Sequence, residues 1–349
     1  MVSNFSADLT RRRNRPESPA RTNLLGRTCW IESACLMSDA ANAHNLHNWA
    51  VNNGCSFDNL RIAQHPSYDG FGLFNSSQTT AENDDKRRAL FVPNSLIISI
   101  DLISGAADES EELADVLNAL PELPTLEPII TVFLLYQLYL ARSGKPSKWQ
   151  PYLDSLPRRT FLPITWNEDE LKLLRHQNTS ISKAVPAKLA FLRSIFSALQ
   201  QVPGWFQSIK WEEYILGESW VSSRTIQDPR TETPILVPIL DMANHSATRN
   251  AAWEVVDEGI ELRREPVDIN ADDELTISYD LDRGTGERLH RYGFVEDTTP
   301  GTCSKAIALL ADIPAVVPGG SVFRLRHQDL EHCFTDLSFM TYENWLESF

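Results

Sequence analysis

The chain has few sulfur-containing residues, and none of them are arranged as a recognisable site. Five cysteines are scattered through the 349 residues, without a CxxC or CxC pair: Cys29, Cys35, Cys55, Cys303 and Cys333. A zinc site made of four thiolates is therefore excluded. The odd number and wide scatter also argue against a disulfide framework. We expect reduced thiols, and hence a protein of the cytoplasm or the nucleus.

Long apolar runs are also missing. The most hydrophobic stretch, PIITVFLLYQLYLA at residues 128–141, is too short to span a bilayer and predicts a buried helix that ends near Arg142 and Gly144. The basic run at residues 11–15 is not followed by the apolar segment of a signal peptide, so it is typical of a nuclear address or a solvated tail. We expect neither secretion nor contact with a membrane.

Positive charge is scarce. The formal net charge is -15, with 42% apolar and 23% charged residues, which indicates a soluble globular protein. This balance argues against nucleic-acid binding and favours a basic protein as the partner. We expect a monomer.

The order of local patterns predicts an α+β fold. Short β-like stretches (LRIAQH, GFGLF and ALFVPNSLIIS) follow a flexible lead-in at residues 1–40 and a short helix at 45–54. Residues 106–221 have helical periodicity. After residue 222 the strand pattern returns in AAWEVV, GIELRRE and ELTISYD. A β-rich domain interrupted by a helical insertion is the simplest interpretation.

Four stretches contain residues suited to chemistry, and each also has an ordinary structural explanation. DGFGL at 69–73 allows close approach of a ligand to the backbone, or is a simple turn. Arg224 in VSSRTI suits a ligand carboxylate, or is a surface arginine. Tyr279 ends the alternating row of ELTISYD, and RYGFVE places Tyr292 and Phe294 shortly after it; each aromatic residue is equally compatible with a core position.

The fourth stretch, DMANHS, follows the apolar run LVPIL at 236–240 and contains Asp241, Asn244, His245 and Ser246. A metal site is disfavoured, because no second set of ligands occurs at suitable spacing. A Ser-His-Asp triad is disfavoured, because the chain has no GxSxG motif. A cap or turn at the end of a strand remains the ordinary alternative.

Taken together and in order, GFGL, SRT, LVP..DMANHS, ISYD and RYGFVE strongly resemble the SET-domain methyltransferases of the Rubisco large-subunit methyltransferase-like family. WQPYLDSLP at 149–157 resembles a segment of the family's helical insertion. The resemblance covers residues 45–298 and implies a SET fold in which the NH segment is threaded to form a knot-like core beside YGF. It further implies the following divisions: 41–105 and 222–298 as the two SET parts, 106–221 as the insertion, and 299–349 as a short remnant of the substrate-binding region.

The resemblance also implies a site for S-adenosylmethionine, with no metal. Asp69, Gly70 and Phe71 would pass over the cofactor with their main chain. Arg224 would hold its carboxylate, and Asn244 and His245 would bind it, partly through backbone groups. Asp241 would hold the loop in shape or contact the cofactor, and Tyr292 and Phe294 would line the lysine channel and the adenine pocket. Tyr279 matches the catalytic tyrosine, which orients the acceptor amine because a phenol with a pKa near ~10 is a poor base at pH 7.

The implied function is protein-lysine N-methylation of a non-histone protein, such as a ribosomal or translation protein. Two alternatives stay open: a SET-like binding module without turnover, and a protein-histidine methyltransferase. The sequence departs from the family pattern in the polar loop at 75–88, in Asp272-Asp273-Glu274, and in Phe74, where some relatives have a basic residue.

Overall fold

A computed structural model describes residues 39–66, 70–80, 87–175, 180–279 and 285–294. The helices in these ranges are α1 Asp39–Asn52, α2 Ile100–Asp108, α3 Glu111–Asn118, α4 Glu127–Arg142, α5 Gln150–Ser155, α6 Glu168–Arg175, α7 Ser180–Leu199, α8 Trp211–Arg224 and α9 Thr285–Tyr292. The strands are β1 Ser56–Phe57, β2 Leu60–Gln64, β3 Phe71–Asn75, β4 Arg88–Pro93, β5 Ile226–Gln227, β6 Pro234–Ile235, β7 Ala251–Val256 and β8 Gly259–Arg264. The predicted α+β class is confirmed.

The largest sheet joins strands from both ends of the described chain. It is antiparallel, with the strand order β1-β4-β8-β7, and Val92 of β4 pairs with Ile260 of β8. Gly259, the first residue of β8, lies very close to β4: a Cβ on this residue would be 2.1 Å from the Val92 carbonyl oxygen, so a glycine is needed here. Two further antiparallel pairs, β2 with β3 and β5 with β6, complete the strands.

The helical block lies between these strands in the sequence, and α4 is its buried centre. The helix predicted at 128–141 is confirmed as α4, and Gly144 follows it with φ 69°. α4 packs closely on α8, because Gly217 of α8 has no side chain: a Cβ there would lie 3.3 Å from the Leu135 side chain. The C-terminal end of α8, with Arg224, therefore lies in a fixed position relative to α4.

The helical block begins earlier than predicted. The expected strand ALFVPNSLIIS ends at Pro93, and α2 starts at Ile100 rather than near residue 106. Ser99 explains the difference, because its hydroxyl accepts a hydrogen bond from the Leu102 amide at 3.2 Å and so caps the helix. Similarly, α1 starts at Asp39, six residues before the predicted helix and inside the predicted lead-in.

The predicted strand ELTISYD does not form a regular strand. Its backbone amides bond to different segments in turn: Leu275 donates to the Leu73 carbonyl at 2.7 Å, and Ile277 donates to the Asn244 carbonyl at 2.9 Å. The ELTISYD segment therefore does not pair with one partner strand along its length. The alternation itself is confirmed, since Leu275 and Ile277 are both buried. The segment joins β3 to the DMANHS stretch.

Several predicted features lie outside the described residues: Asp69, the basic run at 11–15, and the segment 299–349. In the parts of the chain that are described, no helix has the length and apolar character needed to cross a membrane. In those same parts, no group of three or more His, Cys, Asp or Glu side chains is placed to hold a metal ion.

Candidate functional site

Two short segments lie side by side and bring three of the predicted residues together. The Ile277 amide donates to the Asn244 carbonyl at 2.9 Å, and the Ser246 amide donates to the Ile277 carbonyl at 3.0 Å, so His245 and Ile277 form a parallel bridge. Tyr279 follows two residues after the bridge. Asn244, His245 and Tyr279 are therefore neighbours in space, although 34 residues separate His245 from Tyr279.

Tyr279 is held from both ends. Its backbone amide donates to His245 Nδ1 at 3.0 Å, and its phenol donates to the Ala243 carbonyl at 3.0 Å. Because His245 Nδ1 accepts this bond, the proton of a neutral ring would be on Nε2. Burial raises the pKa of Tyr279, so the phenol stays protonated at neutral pH and can act only as a donor or a neutral acceptor.

Tyr279 and His245 belong to a cluster of four aromatic rings, which also contains Tyr292 and Phe294. Tyr292 lies 4.9 Å from the Tyr279 ring between centroids, and Phe294 lies 5.4 Å from the His245 ring. Gly293, between them, has φ 80°, and a Cβ there would lie 2.8 Å from the backbone carbon of Phe161. The glycine of YGF therefore allows the aromatic pair to approach a neighbouring backbone that any other residue would push away.

Arg224, Asp241 and Tyr152 form a buried polar cluster. Arg224 Nη1 donates to Asp241 Oδ2 and to the Asp241 carbonyl, both at 3.0 Å, and the Tyr152 phenol donates to the same Oδ2 at 2.8 Å. The Asp241 side chain is 1% exposed. Burial raises the pKa of Asp241, opposed by Arg224 and Tyr152. Burial works to lower the pKa of Arg224, but the Asp241 carboxylate raises it overall and keeps the guanidinium charged.

The apolar run before Asp241 ends in a strained turn. Leu236, Val237, Ile239 and Leu240 are all buried, and Ile239 has φ 74°, a left-handed conformation that costs a β-branched residue ~1–3 kcal/mol. Asp241 follows this turn two residues later, and its carboxylate lies 3.0 Å from Arg224 Nη1. The polar cluster at the end of the apolar run is thus a built feature.

Two buried polar atoms of this cluster lack a hydrogen-bond partner within the described chain. They are Arg224 Nε and Asp241 Oδ1. Buried polar atoms in folded proteins are almost always paired. An unpaired donor on a charged guanidinium, next to a cavity, therefore suits an anionic group of a bound molecule.

A cavity of about 440 Å³ opens beside this cluster. Four of the predicted residues line it: Arg224, Asp241, Tyr279 and Tyr292. Its volume is in the ~300–1,000 Å³ range of small-molecule pockets. Asn244, His245, Gly70, Phe71 and Phe294 are not among the residues that line it.

A second group of predicted residues lies around Asn244. The Asn244 carboxamide donates to the Phe71 carbonyl at 3.4 Å and to Glu274 Oε1 at 2.6 Å. Gly70, just before Phe71, has φ 144°, and a Cβ on Gly72 would lie 2.7 Å from Glu274 Oε1. Gly72 therefore allows β3 to lie close to Glu274, which holds the Asn244 carboxamide. The site residues fall into two groups that meet at Ala243, Asn244 and Tyr279.

Sequence reasoning missed two residues that hold the site together. Tyr152 bonds Asp241 from 89 positions away. Glu274 accepts from Asn244 and lies 3.2 Å from His65 Nε2. Both occur in stretches quoted above, WQPYLDSLP and ELTISYD, but no spacing rule assigns a tyrosine or a glutamate there to a distant partner.

Comparison with known proteins identifies the fold. The chain matches no family model. The SET domain of LSMT bound to lysine and AdoHcy superimposes with a TM-score of 0.60, at 24% identity, over 75% of this chain and 58% of that chain. The described chain therefore has the SET-domain fold, and the resemblance expected from its sequence motifs is confirmed.

Curated relatives include both lysine and histidine methyltransferases. SET domain-containing protein 8 of Schizosaccharomyces pombe is 30% identical over 181 residues, 51% of this chain and 41% of that protein. The chloroplastic [fructose-bisphosphate aldolase]-lysine N-methyltransferase of Arabidopsis thaliana is 28% identical over 188 residues, 49% of this chain and 38% of that protein. The actin-histidine N-methyltransferase of Gallus gallus is 26% identical over 215 residues, 58% of this chain and 34% of that protein. The matches thus span less than half the length of these relatives.

Proposed function

We propose that the protein is an S-adenosylmethionine-dependent protein-lysine N-methyltransferase that acts on a basic, non-histone protein of the cytoplasm or the nucleus. Ribosomal and translation proteins are the first candidates to test. The observation that supports this most strongly is the Tyr279 phenol, fixed on the Ala243 carbonyl at 3.0 Å beside a cavity that Arg224 also lines. The names of the relatives support protein methylation in general, and the lysine acceptor is the finer part of the proposal.

The residues present fit the cofactor. The carboxylate of S-adenosylmethionine needs a cationic donor, and Arg224 offers a buried Nε that has no partner within the described chain. Gly70 has open space on its Cβ side, so its main chain is accessible, and Gly72 lets β3 lie close to Glu274, which holds Asn244. Arg224, Asn244, His245 and the main chain at Gly70 and Phe71 are the groups that we assign to holding it. When bound, the cofactor supplies a methyl group on a positively charged sulfur.

Tyr279 has an orienting role in this proposal. Its phenol is protonated at neutral pH because burial raises its pKa, so it does not remove the proton from the acceptor. Its oxygen is fixed by the Ala243 carbonyl and lies beside the cavity, where it can align an incoming amine. Alignment of this kind and a fixed dipole can lower a barrier by several kcal/mol. Asp241 and Tyr152 keep Arg224 in place.

The cavity favours a neutral acceptor. Lysine has a reference pKa near ~10.4 and is mostly protonated in water at pH 7. Tyr292, Leu240 and Trp253 line part of the cavity, and an acceptor packed against these side chains would lose part of its hydration. Removal of water disfavours an ammonium ion and so promotes the neutral amine that the reaction requires.

Methylation of histidine is the second candidate. It is favoured by the actin-histidine N-methyltransferase of Gallus gallus, which aligns with 58% of this chain, more than the 49% aligned with the aldolase-lysine enzyme. An imidazole is largely neutral at pH 7 and needs less help from desolvation. A binding module without turnover is the third.

One experiment separates the three. The purified protein is incubated with tritiated S-adenosylmethionine and a whole-cell lysate, and labelled bands are identified by mass spectrometry. Labelled lysine supports the proposal, labelled histidine supports the second candidate, and an unlabelled lysate supports the binding module. Tyr279→Phe should lose most turnover and keep cofactor affinity, whereas Tyr139→Phe, a half-buried tyrosine away from the cavity, should leave both unchanged.

A further inference from the structure

The cavity beside Tyr279 has an excess of negative charge. Three carboxylates and two guanidiniums line it: Asp241, Glu127, Glu232, Arg224 and Arg291. Arg224 and Asp241 neutralise each other in the pair described above. Arg291 donates to the Thr225 carbonyl and hydroxyl, both at 3.4 Å. These bonds are to neutral groups, so Arg291 keeps its charge and the lining retains an excess of one carboxylate, to which Glu127 and Glu232 contribute.

Glu127 differs from Glu232 in its burial. Glu232 is exposed, but Glu127 is only 9% exposed although it lies on the cavity wall. Within the described residues, its carboxylate forms neither a hydrogen bond nor an ion pair. Glu127 is the first residue of α4, and the positive end of a helix stabilises a negative charge at this position. A carboxylate that lines the cavity and has no partner within the described chain is available to a cation of a bound molecule.

Lys188, a buried cation of the helical block, already has a partner. Lys188 Nζ lies 3.3 Å from Glu218 Oε1, and the other Glu218 oxygen accepts from the Thr131 hydroxyl at 2.9 Å. The pKa of Glu218 is raised, mainly by burial. Lys188 opposes this shift, and the negative charge of Glu127 adds to it. Lys188 therefore neutralises one of two neighbouring carboxylates, and the negative charge on Glu127 remains.

We propose that Glu127 is a specificity-determining residue that binds a second basic side chain of the protein substrate, an arginine or a lysine close to the acceptor residue. The proposal rests on the proposed function, because it assigns the cavity to a protein substrate. The basic side chain that Glu127 binds is not the residue that receives the methyl group. A carboxylate beside the acceptor nitrogen would stabilise its protonated form and would oppose the reaction. A neighbouring basic side chain has no such conflict, and the cavity volume of about 440 Å³ leaves room for it.

The test is a binding experiment, so it does not depend on turnover. The probe is a synthetic peptide library with a fixed central lysine and randomised flanking residues. It is passed over immobilised full-length protein in the presence of S-adenosylhomocysteine, and retained peptides are sequenced by mass spectrometry. We expect arginine or lysine to be enriched about tenfold or more at one flanking position, the range for a hydrogen bond to a charged group.

The variants decide the role of Glu127. Glu127→Gln should lose the enrichment, Glu127→Asp should keep part of it because the charge remains, and Glu122→Gln, an exposed carboxylate in the preceding loop, should keep all of it. Unfolding midpoints measured in parallel show that each variant is folded. No basic enrichment by the wild type, or the same enrichment by Glu127→Gln, would overturn the proposal. Enrichment that depends on Glu127, without labelling in the tritium assay, would leave the cation site standing and remove the methyltransferase function.

Discussion

Asp241→Asn should be among the most damaging conservative substitutions in this protein. The substitution keeps the shape of the side chain and removes its charge. Asp241 is 1% exposed, and the only cation within hydrogen-bond distance of it in the described chain is Arg224, with 19% of its side chain exposed. The guanidinium would be left without its counterion in a largely buried position.

The size of the effect follows from this geometry. Removal of one partner from a buried ion pair costs ~3–5 kcal/mol, and we expect about 3 kcal/mol because Arg224 keeps some contact with water. Tyr152→Phe keeps the ion pair and loses one hydrogen bond to a charged group, so its cost should be smaller, about 1.5 kcal/mol. Asp115→Asn, an exposed carboxylate on α3, should change stability by less than ~0.5 kcal/mol.

Urea unfolding followed by fluorescence gives the three free energies under one set of conditions. The expected order of loss is Asp241→Asn, then Tyr152→Phe, then Asp115→Asn. If Asp241→Asn unfolds at the same urea concentration as Asp115→Asn, the ion pair does not stabilise the site, and the assignment of Asp241 as the support for Arg224 is wrong.

Three further outcomes are expected. Gly72→Ala places a Cβ 2.7 Å from Glu274 Oε1, so it should displace the carboxylate that holds Asn244 and weaken S-adenosylmethionine binding in calorimetry by about tenfold. Burial lowers the pKa of His290 to about 3, so between pH 6.5 and 5 the unfolded chain takes up a proton that the folded chain does not. The free energy of unfolding should therefore fall by about 1.5 kcal/mol over this range, and His290→Gln should remove that part of the pH dependence. Lys188→Met should cost about 3 kcal/mol in urea unfolding, and adding Glu218→Leu should recover most of it.

Each of these has a matched control in the same molecule. Gly105→Ala enters open space and should leave cofactor affinity unchanged. His44→Gln and Lys183→Met change exposed residues and should leave the pH profile and the stability close to the wild type. A control that behaves like its partner would show that the effect is not specific to the named contact.

Local elements were predictable from the sequence where a local pattern decides the structure. The apolar run at 128–141 is long enough for four turns and became α4. The alternation of Leu275 and Ile277 correctly predicted that both side chains are buried, although the segment bonds to several partners instead of one. The limits of α2 depended on Ser99, a single cap that the continuous apolar pattern concealed.

The contacts within the site were less predictable, because they join distant parts of the chain. Tyr152 and Asp241 are 89 positions apart, and only the packing of the insertion on the SET core brings them together. Glu127 looks like an ordinary acidic residue at the start of a helix until the cavity beside it is known. The threading of the NH segment beside YGF and the domain limits stay predictions.

Binding of S-adenosylmethionine to the purified full-length protein, measured by isothermal titration calorimetry, tests the central claim most directly. We expect one site per chain, an affinity that Tyr279→Phe leaves unchanged, and a loss of about tenfold or more in Arg224→Gln, because the neutral carboxamide of glutamine lacks the charge that pairs with the carboxylate. The absence of any binding heat, or equal affinity in the wild type and Arg224→Gln, would contradict it.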